Sequence, residues 1–352
     1  MLEISLLFIV ALILVLPLSV QLIERNLEIF LLFMGLLTLS LPHWCGQASL
    51  WRVELIKEAL KEPVMITLSA LVFGILVYLF KDPLTGAIVK LERKLGSKCF
   101  CFFLVVVLGF LSSIITAIIA AIALVEVVSA LKLSKEYEIK LVILGCFSIG
   151  LGAALTPIGE PLSTICIAKL RGGPYNAGFF FLAEHLGKFI IPGVLGLGII
   201  GAFIEPSIDA GGSDAGLQEK EPETIKDILY RSVKVYFFVM ALILLGAGLK
   251  PVIDKYIINL PAAALYWINS VSAVVDNATL TAAEISPKMT AAQAQAALMG
   301  LLLAGGMLIP GNIPNIISAG RLGITSRQWA KTAIPLGLVM MTVYFIILMV
   351  IN

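Results

Sequence analysis

The segment Ala273-Val-Val-Asp-Asn-Ala-Thr-Leu-Thr281 places a carboxylate, Asp276, and an amide, Asn277, inside a long apolar run. A charged side chain at membrane depth is unfavourable by about 2.5 to 3.5 kcal/mol on scales from insertion experiments, so it usually faces a cavity, a polar partner or an ion. The segment therefore predicts an ion or proton site at Asp276. The alternative is a structural hydrogen-bonded pair.

The composition indicates an integral membrane protein. Hydrophobic residues make up 59% of the 352 residues and charged residues 14%, whereas soluble proteins have about 25% charged residues. The mean hydropathy is +1.02. We expect an all-α, multi-pass protein of the cell membrane that contacts the lipid bilayer. The formal net charge of +2, without basic runs, does not favour nucleic acid as a partner.

The five cysteines are an odd number scattered mostly through apolar segments, and they are Cys45, Cys99, Cys101, Cys146 and Cys166. Buried free thiols are the expected state. Cys99 and Cys101 form a Cys-x-Cys pair, but no second pair of zinc ligands follows. The sequence therefore predicts no zinc site and no cofactor.

Apolar runs of about twenty residues predict membrane-spanning helices, because the hydrocarbon core is about 30 Å thick. The predicted runs are 4–20, 27–41, 64–80, 99–131, 139–170, 175–204, 229–249, 256–284, 292–320 and 332–351. The first run lacks the positive start and the cleavage site of a signal peptide, so it is interpreted as a spanning helix. The run 99–131 is too long for one crossing.

These runs predict four regions of the chain. Residues 1–62 hold the N-terminal helices and an amphipathic helix, 49–62, that is expected to lie at the membrane interface. Residues 63–204 form a first repeat with a hairpin, 99–131, and a broken helix, 139–170. Residues 205–228 are a linker. Residues 229–352 form a second repeat with a hairpin, 256–284, and a broken helix, 292–320.

The two broken helices contain similar interruptions, Thr156-Pro-Ile-Gly-Glu-Pro161 and Leu308-Ile-Pro-Gly-Asn-Ile-Pro314. Proline removes backbone hydrogen bonds from a helix, and the freed groups are tolerated at membrane depth only where protein, water or an ion satisfies them. Matched interruptions in two halves of a chain are typical of transporters that bind their substrate near the middle of the bilayer.

The long runs 99–131 and 256–284 are interpreted as re-entrant hairpins, which makes the two repeats inverted. The alternative is that they are pairs of short helices or single tilted helices. With hairpins, one side of the membrane carries sixteen Lys and Arg residues, and the other carries eight: Arg52, Lys57, Lys61, Lys169, Arg171, Lys250, Lys255 and Lys288. The positive-inside rule then predicts that both termini are extracytoplasmic.

Four segments resemble the ion transporter superfamily, namely 112–120, 150–161, 275–279 and 305–315. Thr-Pro-Ile-Gly followed by an acid, together with Asp-Asn in the second hairpin, is most similar to the NhaD type of sodium/proton antiporter. The chain also resembles an uncharacterised prokaryotic family described as cation transporters. The resemblance covers about residues 64–352. It implies hairpin tips and broken helices that meet around cation sites, usually in a homodimer.

The dicarboxylate/sodium symporters of the superfamily have Ser-Asn-Thr at the hairpin tips. Ser112-Ser113 and Asp276-Asn277 differ from that motif, which argues against a carboxylate substrate.

Sodium prefers oxygen ligands, which hydroxyl, amide and carboxylate side chains provide. The candidate ligands are Ser112, Ser113, Thr116, Thr156 and Glu160 from the first half and Asp276, Asn277, Thr279, Asn312 and Asn315 from the second. For the hydroxyls, packing or bonding within a helix is an equal alternative. Asp276 and Glu160 are predicted to bound one shared site, in which a proton competes with sodium because neighbouring carboxylates repel each other.

Four other ionisable side chains lie in apolar runs and are candidates for a proton pathway: Glu126, Glu184, His185 and Lys188. The spacing of Glu184 and Lys188 places them on one helical face, which favours a salt bridge, with a role in proton access as the alternative. For Glu126, the alternative is a pair with Lys188 or a side chain that reaches towards the interface.

These observations predict a secondary transporter that exchanges Na⁺ or Li⁺ for H⁺. A sodium-coupled symporter of a small anion, such as a dicarboxylate, is the alternative, since helix N-termini attract anions. The sequence lacks His-Glu-x-x-His, Gly-x-Ser-x-Gly and nucleotide-binding loops, so an enzyme is not expected.

Overall fold

The computed structural model describes residues 2–20, 22–23, 26–46, 48–131, 133–204, 225–256, 260–274 and 277–351, which are helical without any strand. The α-helices are α1 Leu2–Ser19, α2 Leu27–Trp44, α3 Val53–Leu95, α4 Ser97–Ile115, α5 Ala117–Ala130, α6 Lys135–Ala153, α7 Pro161–Lys169, α8 Phe181–Phe203, α9 Ile225–Tyr256, α10 Ala262–Ile268, α11 Asn277–Glu284, α12 Ala291–Gly305, α13 Ile313–Leu322 and α14 Ser326–Ile351. Short 3₁₀ helices span Asn269–Ala273 and Ile309–Gly311. Most of the predicted linker, 205–224, and the central Asp276 lie outside the described residues.

Among the described residues, four helical segments are long and apolar enough to cross a membrane, judged by length and composition. They are Ser97–Ile115, Phe181–Phe203, Ile228–Leu249 and Ser326–Ile351. An all-helical chain with several such helices has the character of a membrane protein, as its composition predicts.

The helices are interrupted where the sequence predicts interruptions. The run 99–131 is divided at Thr116, whose φ of 78° lies in the left-handed region that a β-branched residue rarely adopts. Residues 154–160 separate α6 from α7, and residues 306–312 separate α12 from α13. The run 256–284 is likewise divided into α10, a 3₁₀ turn and α11.

Two groups of three helices form most of the core. In the first half, α4, α6 and α8 pack against one another. In the second half, α12 packs against both α10 and α14. The contacts that join the halves include those of α5 with α13, of α7 with α11 and of α6 with α12, α13 and α14, while α9 packs against α2 and α3. One large cluster of buried apolar side chains runs through both groups.

The predicted interfacial helix 49–62 is not a separate element. It forms the first turns of α3, which continues to Leu95 without a break. Ala59 is buried with Leu39 and Leu244, and the Tyr236 hydroxyl donates to the Leu60 carbonyl oxygen at 2.9 Å. Helix α3 thus crosses the predicted boundary at residue 62 without a break, and Ala59 is the buried contact of a segment whose other described side chains are mostly exposed.

One end of the helix assembly, called the Lys135 end, gathers the starts of α4 and α6 and the end of α13. The Lys135 ammonium donates to the Leu322 carbonyl oxygen at 2.7 Å. The Cys101 thiol lies 3.0 Å from the Tyr137 hydroxyl.

The opposite end, called the Tyr175 end, gathers the turn after α7 and the starts of α10 and α12. The Tyr175 hydroxyl donates to the Met289 carbonyl oxygen, and Gln293 Nε2 donates to the Leu260 carbonyl oxygen at 3.1 Å. The broken helix α6–α7 therefore runs from the Lys135 end to the Tyr175 end, whereas α12–α13 runs in the opposite direction.

The five cysteines are free thiols, as predicted. Cys101, Cys146 and Cys166 are buried, but Cys45 and Cys99 are exposed. Both exposed thiols lie at or near helix ends, where no neighbouring element covers them.

Candidate functional site

The break between α4 and α5 touches the break between α6 and α7. The Ala117 backbone N–H donates to the Gly159 carbonyl oxygen at 2.8 Å, and the Thr156 hydroxyl donates to the Ser113 carbonyl oxygen. Each interruption therefore satisfies backbone groups that the other has freed from helical hydrogen bonding.

The second half shows the same kind of contact. A β-carbon added to Gly311 would lie 2.5 Å from the carbonyl oxygen of Gly305, 2.7 Å from that of Ser272 and 2.9 Å from that of Ala273. Only glycine fits where the 3₁₀ turn after α10 crosses the break between α12 and α13.

The two broken helices meet each other at their interruptions. Asn312 Nδ2 would lie 2.8 Å from a β-carbon on Gly150 of α6, and the Phe147 ring covers Gly306. On the Lys135 side of this crossing, Cys146 Sγ lies 3.3 Å from the Ser318 hydroxyl. The breaks of both halves thus gather at one central region between the two ends.

Four helices begin in or beside this central region: α5, α7, α11 and α13. Ile118, Ala121 and Ile122 of α5 pack against Ile313 and Ile317 of α13, and α7 packs against α11. Because a helix N-terminus carries a partial positive charge, this arrangement stabilises negative charge at the centre.

Glu160 and Asn312 occupy matching positions in this region. Each is the last residue of its seven-residue interruption, 154–160 or 306–312, and each is 5% exposed. Their backbone φ values, −155° and −153°, are nearly equal. Glu160 thus lies at the N-terminus of α7, where the helix dipole stabilises the ionised form of a carboxyl group, and its role as a cation ligand stays a prediction.

Asp276 and the Thr279 side chain lie outside the described part of the structure, so their predicted roles stay predictions. The same holds for the predicted shared site of Asp276 and Glu160. Asn277 follows Asp276 in sequence and begins α11. It is buried, and its Nδ2 has no hydrogen-bond partner among the described residues. A polar group is thus available next to Asp276 in the chain.

The predicted hydroxyl ligands make local bonds. The Ser112 hydroxyl lies 2.6 Å from the Gly109 carbonyl oxygen and 3.0 Å from that of Ile149, which joins α4 to α6. The Ser113 hydroxyl donates to Phe110, and the Thr116 hydroxyl accepts from the Ile119 N–H. These bonds favour the structural alternative, although each hydroxyl oxygen retains acceptor capacity.

Asn315 spans the break of the second half. Its Nδ2 donates to the carbonyl oxygens of Gly305, at 2.8 Å, and Leu308, at 2.9 Å. Its Oδ1 is buried without a hydrogen-bond partner in the described part of the chain. In the first half, the Ser163 hydroxyl makes a similar bond, to the Ala154 carbonyl oxygen at 3.2 Å. Asn315 therefore stabilises the break and also provides a free oxygen.

Glu126 is held in an ion pair with Arg321. Glu126 Oε1 lies 2.8 Å from Arg321 Nη1, and the two side chains are 13% and 10% exposed. The pair joins α5 to α13 on the side of the Lys135 end. The alternative that Glu126 pairs with Lys188 is therefore wrong.

Glu184, His185 and Lys188 lie near the start of α8, towards the Tyr175 end. Glu184 and Lys188 are exposed, and no ion pair joins them in the part of the chain that the structure describes, so the predicted salt bridge is wrong. The Lys188 ammonium instead lies 4.9 Å from the centre of the Phe189 ring. The four residues of the predicted proton pathway do not form one cluster, because Glu126 lies towards the other end.

Comparison with known families assigns the chain to one of them. The sequence matches the DUF1646 family, described as "Protein of unknown function", over residues 3–351. The chain belongs to the DUF1646 family. No curated protein matches the sequence. The family match includes both breaks and every buried polar residue of the central region.

One carboxyl group of this DUF1646 member is not predicted from the sequence as a site residue. Glu284, at the end of α11, is 1% exposed, and neither of its oxygens has a hydrogen-bond partner among the described residues. Its sequence context, Leu-Thr-Ala-Ala-Glu-Ile, is that of an acid at the edge of an apolar run. The described residues contain no group of three His, Cys, Asp or Glu side chains that would hold a metal ion.

Proposed function

We propose that this protein is a secondary active transporter that exchanges Na⁺ or Li⁺ for H⁺ at the central region. The observation that carries the proposal is the convergence of four helix breaks around buried oxygen-bearing side chains, with Glu160 at the start of α7. A continuous helix bundle does not need such breaks, whereas a transporter uses freed backbone and side-chain oxygens to bind an ion.

Matching contacts in the two halves support an inverted repeat. The pair α4 and α6 corresponds to α10 and α12, and the partner α8 corresponds to α14. The contact of α5 with α13 corresponds to that of α11 with α7. Both interruptions have seven residues, and the two broken helices run in opposite directions. An inversion that exchanges the halves accounts for all of these features.

The ends of the hairpin arms support the re-entrant interpretation. Cys101, near the start of α4, contacts Tyr137 at the Lys135 end. Four residues connect the end of α5 to the start of α6, so α5 ends close to that same end. In the second half, Leu260 precedes α10 and contacts Gln293 at the Tyr175 end. Six residues connect the end of α11 to the start of α12, so α11 ends close to the Tyr175 end. We propose that each hairpin enters and leaves at one end, with the two hairpins at opposite ends.

The ligand chemistry supports a small inorganic cation as substrate. The Glu160 carboxylate and the amide oxygens of Asn312 and Asn315 are hard oxygen ligands of the kind that Na⁺ binds. In this proposal Asp276 binds the ion directly from the second half. Glu160 completes the site or carries the exchanged proton, and two such protomers form a homodimer.

A sodium-coupled symporter of a small anion is the second candidate. The four helix N-termini at the centre favour it, because they attract negative charge. The acids Glu160 and Asp276 already supply negative charge beside two of these helices, which favours the exchanger.

The test is a proteoliposome assay with a pH-sensitive dye in the lumen. Addition of Na⁺ or Li⁺ should move protons across the membrane, whereas dicarboxylates should not. Asp276→Asn should abolish the exchange and leave the protein folded, because a neutral amide is less costly to bury than a charge. No proton movement with Na⁺ or Li⁺ alone, proton movement that requires a dicarboxylate in addition to Na⁺, or wild-type exchange by Asp276→Asn would contradict the proposal.

A further inference from the structure

The second hairpin contains a carboxyl group that the proposed central site does not use. Glu284 is the last residue of α11 and is 1% exposed. No described residue donates a hydrogen bond of good geometry to either carboxyl oxygen, although the Asn269 side chain lies close enough to interact with the group. An ionised carboxylate is strongly unfavourable in such a place unless a positive charge accompanies it. The group therefore requires a bound proton or a bound cation.

The surroundings of Glu284 provide further oxygens. The Asn269 side chain lies beside the Glu284 carboxyl group. Asn269 Nδ2 donates to the Ala297 carbonyl oxygen at 3.0 Å, which fixes the amide, while its buried Oδ1 has no partner in the described part of the structure. The Ser272 hydroxyl, three residues further on, is also buried without a described partner.

These groups extend from the hairpin arm towards the central region. In a 3₁₀ helix, residues three positions apart lie on the same face, so Asn269 and Ser272 are aligned. The Ser272 carbonyl oxygen lies against Gly311 in the second break. Glu284, Asn269 and Ser272 therefore form a row of buried polar groups that reaches the central region.

The first half shows that packing does not require a charge at this position. Under the proposed repeat, α5 and α11 begin at equivalent residues, which makes Leu124 the counterpart of Glu284. Leu124 is fully buried, and its side chain lies 2.5 Å from the β-carbon position of Gly145. By the same matching of α6 with α12, Gly145 corresponds to Ala297, the residue that holds Asn269. A leucine fills this position in one half, so the acid of the other half serves another purpose.

We propose that Glu284 and Asn269 form a second site, between the arms of the second hairpin, that binds one monovalent cation, either a proton or an alkali-metal ion. The role of this cation in exchange rests on the proposed function, but its binding does not. With a cation bound at Glu284 as well as at the central region, each transport cycle involves two carboxyl sites connected by the row through Ser272.

Ionisable groups on the elements around α11 are few. Helix α12 has none, and α10 contributes Tyr266. Helix α7 contributes Cys166 and Lys169, and the nearer half of α9 contributes Lys250, Asp254 and Lys255, whose side chains lie outside the described part of the structure.

The direct test uses the purified full-length protein and does not depend on transport. Infrared spectroscopy detects the carbonyl stretch of a protonated carboxyl group, which an ionised group lacks. It should be recorded with and without Na⁺, Li⁺ or K⁺, and equilibrium dialysis should count the bound alkali ions. The variants are Glu284→Gln, Glu284→Leu, which copies the first half, and Asn269→Ala. Glu28→Gln is the control, because Glu28 is buried but paired with Lys234 at 2.9 Å.

If the site holds a proton, the wild-type band persists in every salt, is lost in both Glu284 variants and is kept in Glu28→Gln. If it holds an alkali ion, salt removes the wild-type band, and the wild type binds one more ion than Glu284→Gln. Asn269→Ala should weaken ion binding or shift the band. The same band and the same number of bound ions in folded wild-type, Glu284→Gln and Glu284→Leu protein would overturn the second site.

Failure of the second site and failure of the proposed function have different signatures. Cation binding at Glu284 without Na⁺-driven proton movement would contradict the exchanger and retain the second site. Normal exchange by Glu284→Leu, with an unchanged band and ion count, would contradict only the second site.

Discussion

At the scale of the residue, the proposed repeat places chemically different side chains at matching positions. Glu160 and Asn312 have the same place and nearly the same backbone conformation, yet one is an acid and the other a neutral amide. Glu284 and Leu124 show the same contrast in the opposite half. Under the proposed repeat, Glu160 and Glu284 are buried acids that lie where the other half has an uncharged side chain, so the chemical asymmetry is spread over both halves.

Glu160→Gln preserves the shape of the side chain and removes its charge. We expect the apparent affinity for Na⁺ to fall by about tenfold, since a hydrogen bond or contact to a charged group contributes about 1.5 kcal/mol or more. The pH dependence of exchange should shift as well. Asn312→Ala, which removes one neutral ligand, should have a smaller effect. Exchange rates measured over a range of Na⁺ concentrations check this, and equal affinities for wild type and Glu160→Gln would be inconsistent with a ligand role.

At the scale of the element, close backbone contact holds the broken helices together. Gly311→Ala would place a methyl group within 3 Å of three carbonyl oxygens of the second half. We expect a loss of stability of about 1 to 3 kcal/mol, as for other overpacked sites, and loss of exchange. Gly320→Ala is the matched control, because no atom lies within 4 Å of its β-carbon position. Thermal unfolding in detergent should separate the two variants, and equal midpoints would refute the close contact.

The ion pair between Glu126 and Arg321 joins an arm of the first hairpin to the second broken helix. Because both side chains are largely buried, Glu126→Gln should lower the free energy of unfolding by about 1 to 3 kcal/mol, between the values for surface and buried pairs. Exchanging the two charges, with Glu126→Arg and Arg321→Glu in one protein, should restore part of the lost free energy of unfolding. Thermal unfolding of the single and double variants measures this, and no recovery in the double variant would argue that the pair itself is unimportant.

The breaks were predictable from sequence, because proline, glycine and polar residues inside apolar runs have strong local effects at 154–160 and 306–312. Three other features were not predictable from local sequence. The amphipathic pattern of 49–62 does not show that the helix continues into α3. The four-residue spacing of Glu184 and Lys188 places them on one helical face but does not determine whether they form an ion pair. Glu284 resembles a residue at the membrane edge in sequence, and only tertiary packing buries it.

At the scale of the whole molecule, the direction of α14 indicates at which end of the helix assembly the C-terminus lies. Helix α14 begins shortly after α13 finishes at the Lys135 end, and the Tyr266 hydroxyl of α10 donates to the Met341 carbonyl oxygen at 2.8 Å. These contacts support a C-terminus on the side of the Tyr175 end, which has fewer Lys and Arg residues in the predicted topology.

A reporter that fluoresces only in the cytoplasm should stay dark when fused to the C-terminus, because the positive-inside rule assigns the Lys135 end to the cytoplasm. The same reporter inserted in the linker 205–224, which is predicted to be cytoplasmic, should be bright. Fluorescence of intact cells, normalised to protein amount, compares the two fusions. A bright C-terminal fusion and a dark linker fusion would reverse the orientation.

The short length of the half helices has an electrical consequence. Helix α7 has nine residues and α13 has ten, so they measure about 14 and 15 Å at 1.5 Å per residue. Each covers about half of a hydrocarbon core of about 30 Å. A cation held between their N-termini would then have crossed about half of the membrane voltage from either side. Its binding from each side should therefore change by about 1.2 kcal/mol for every 100 mV, half the value for a full crossing.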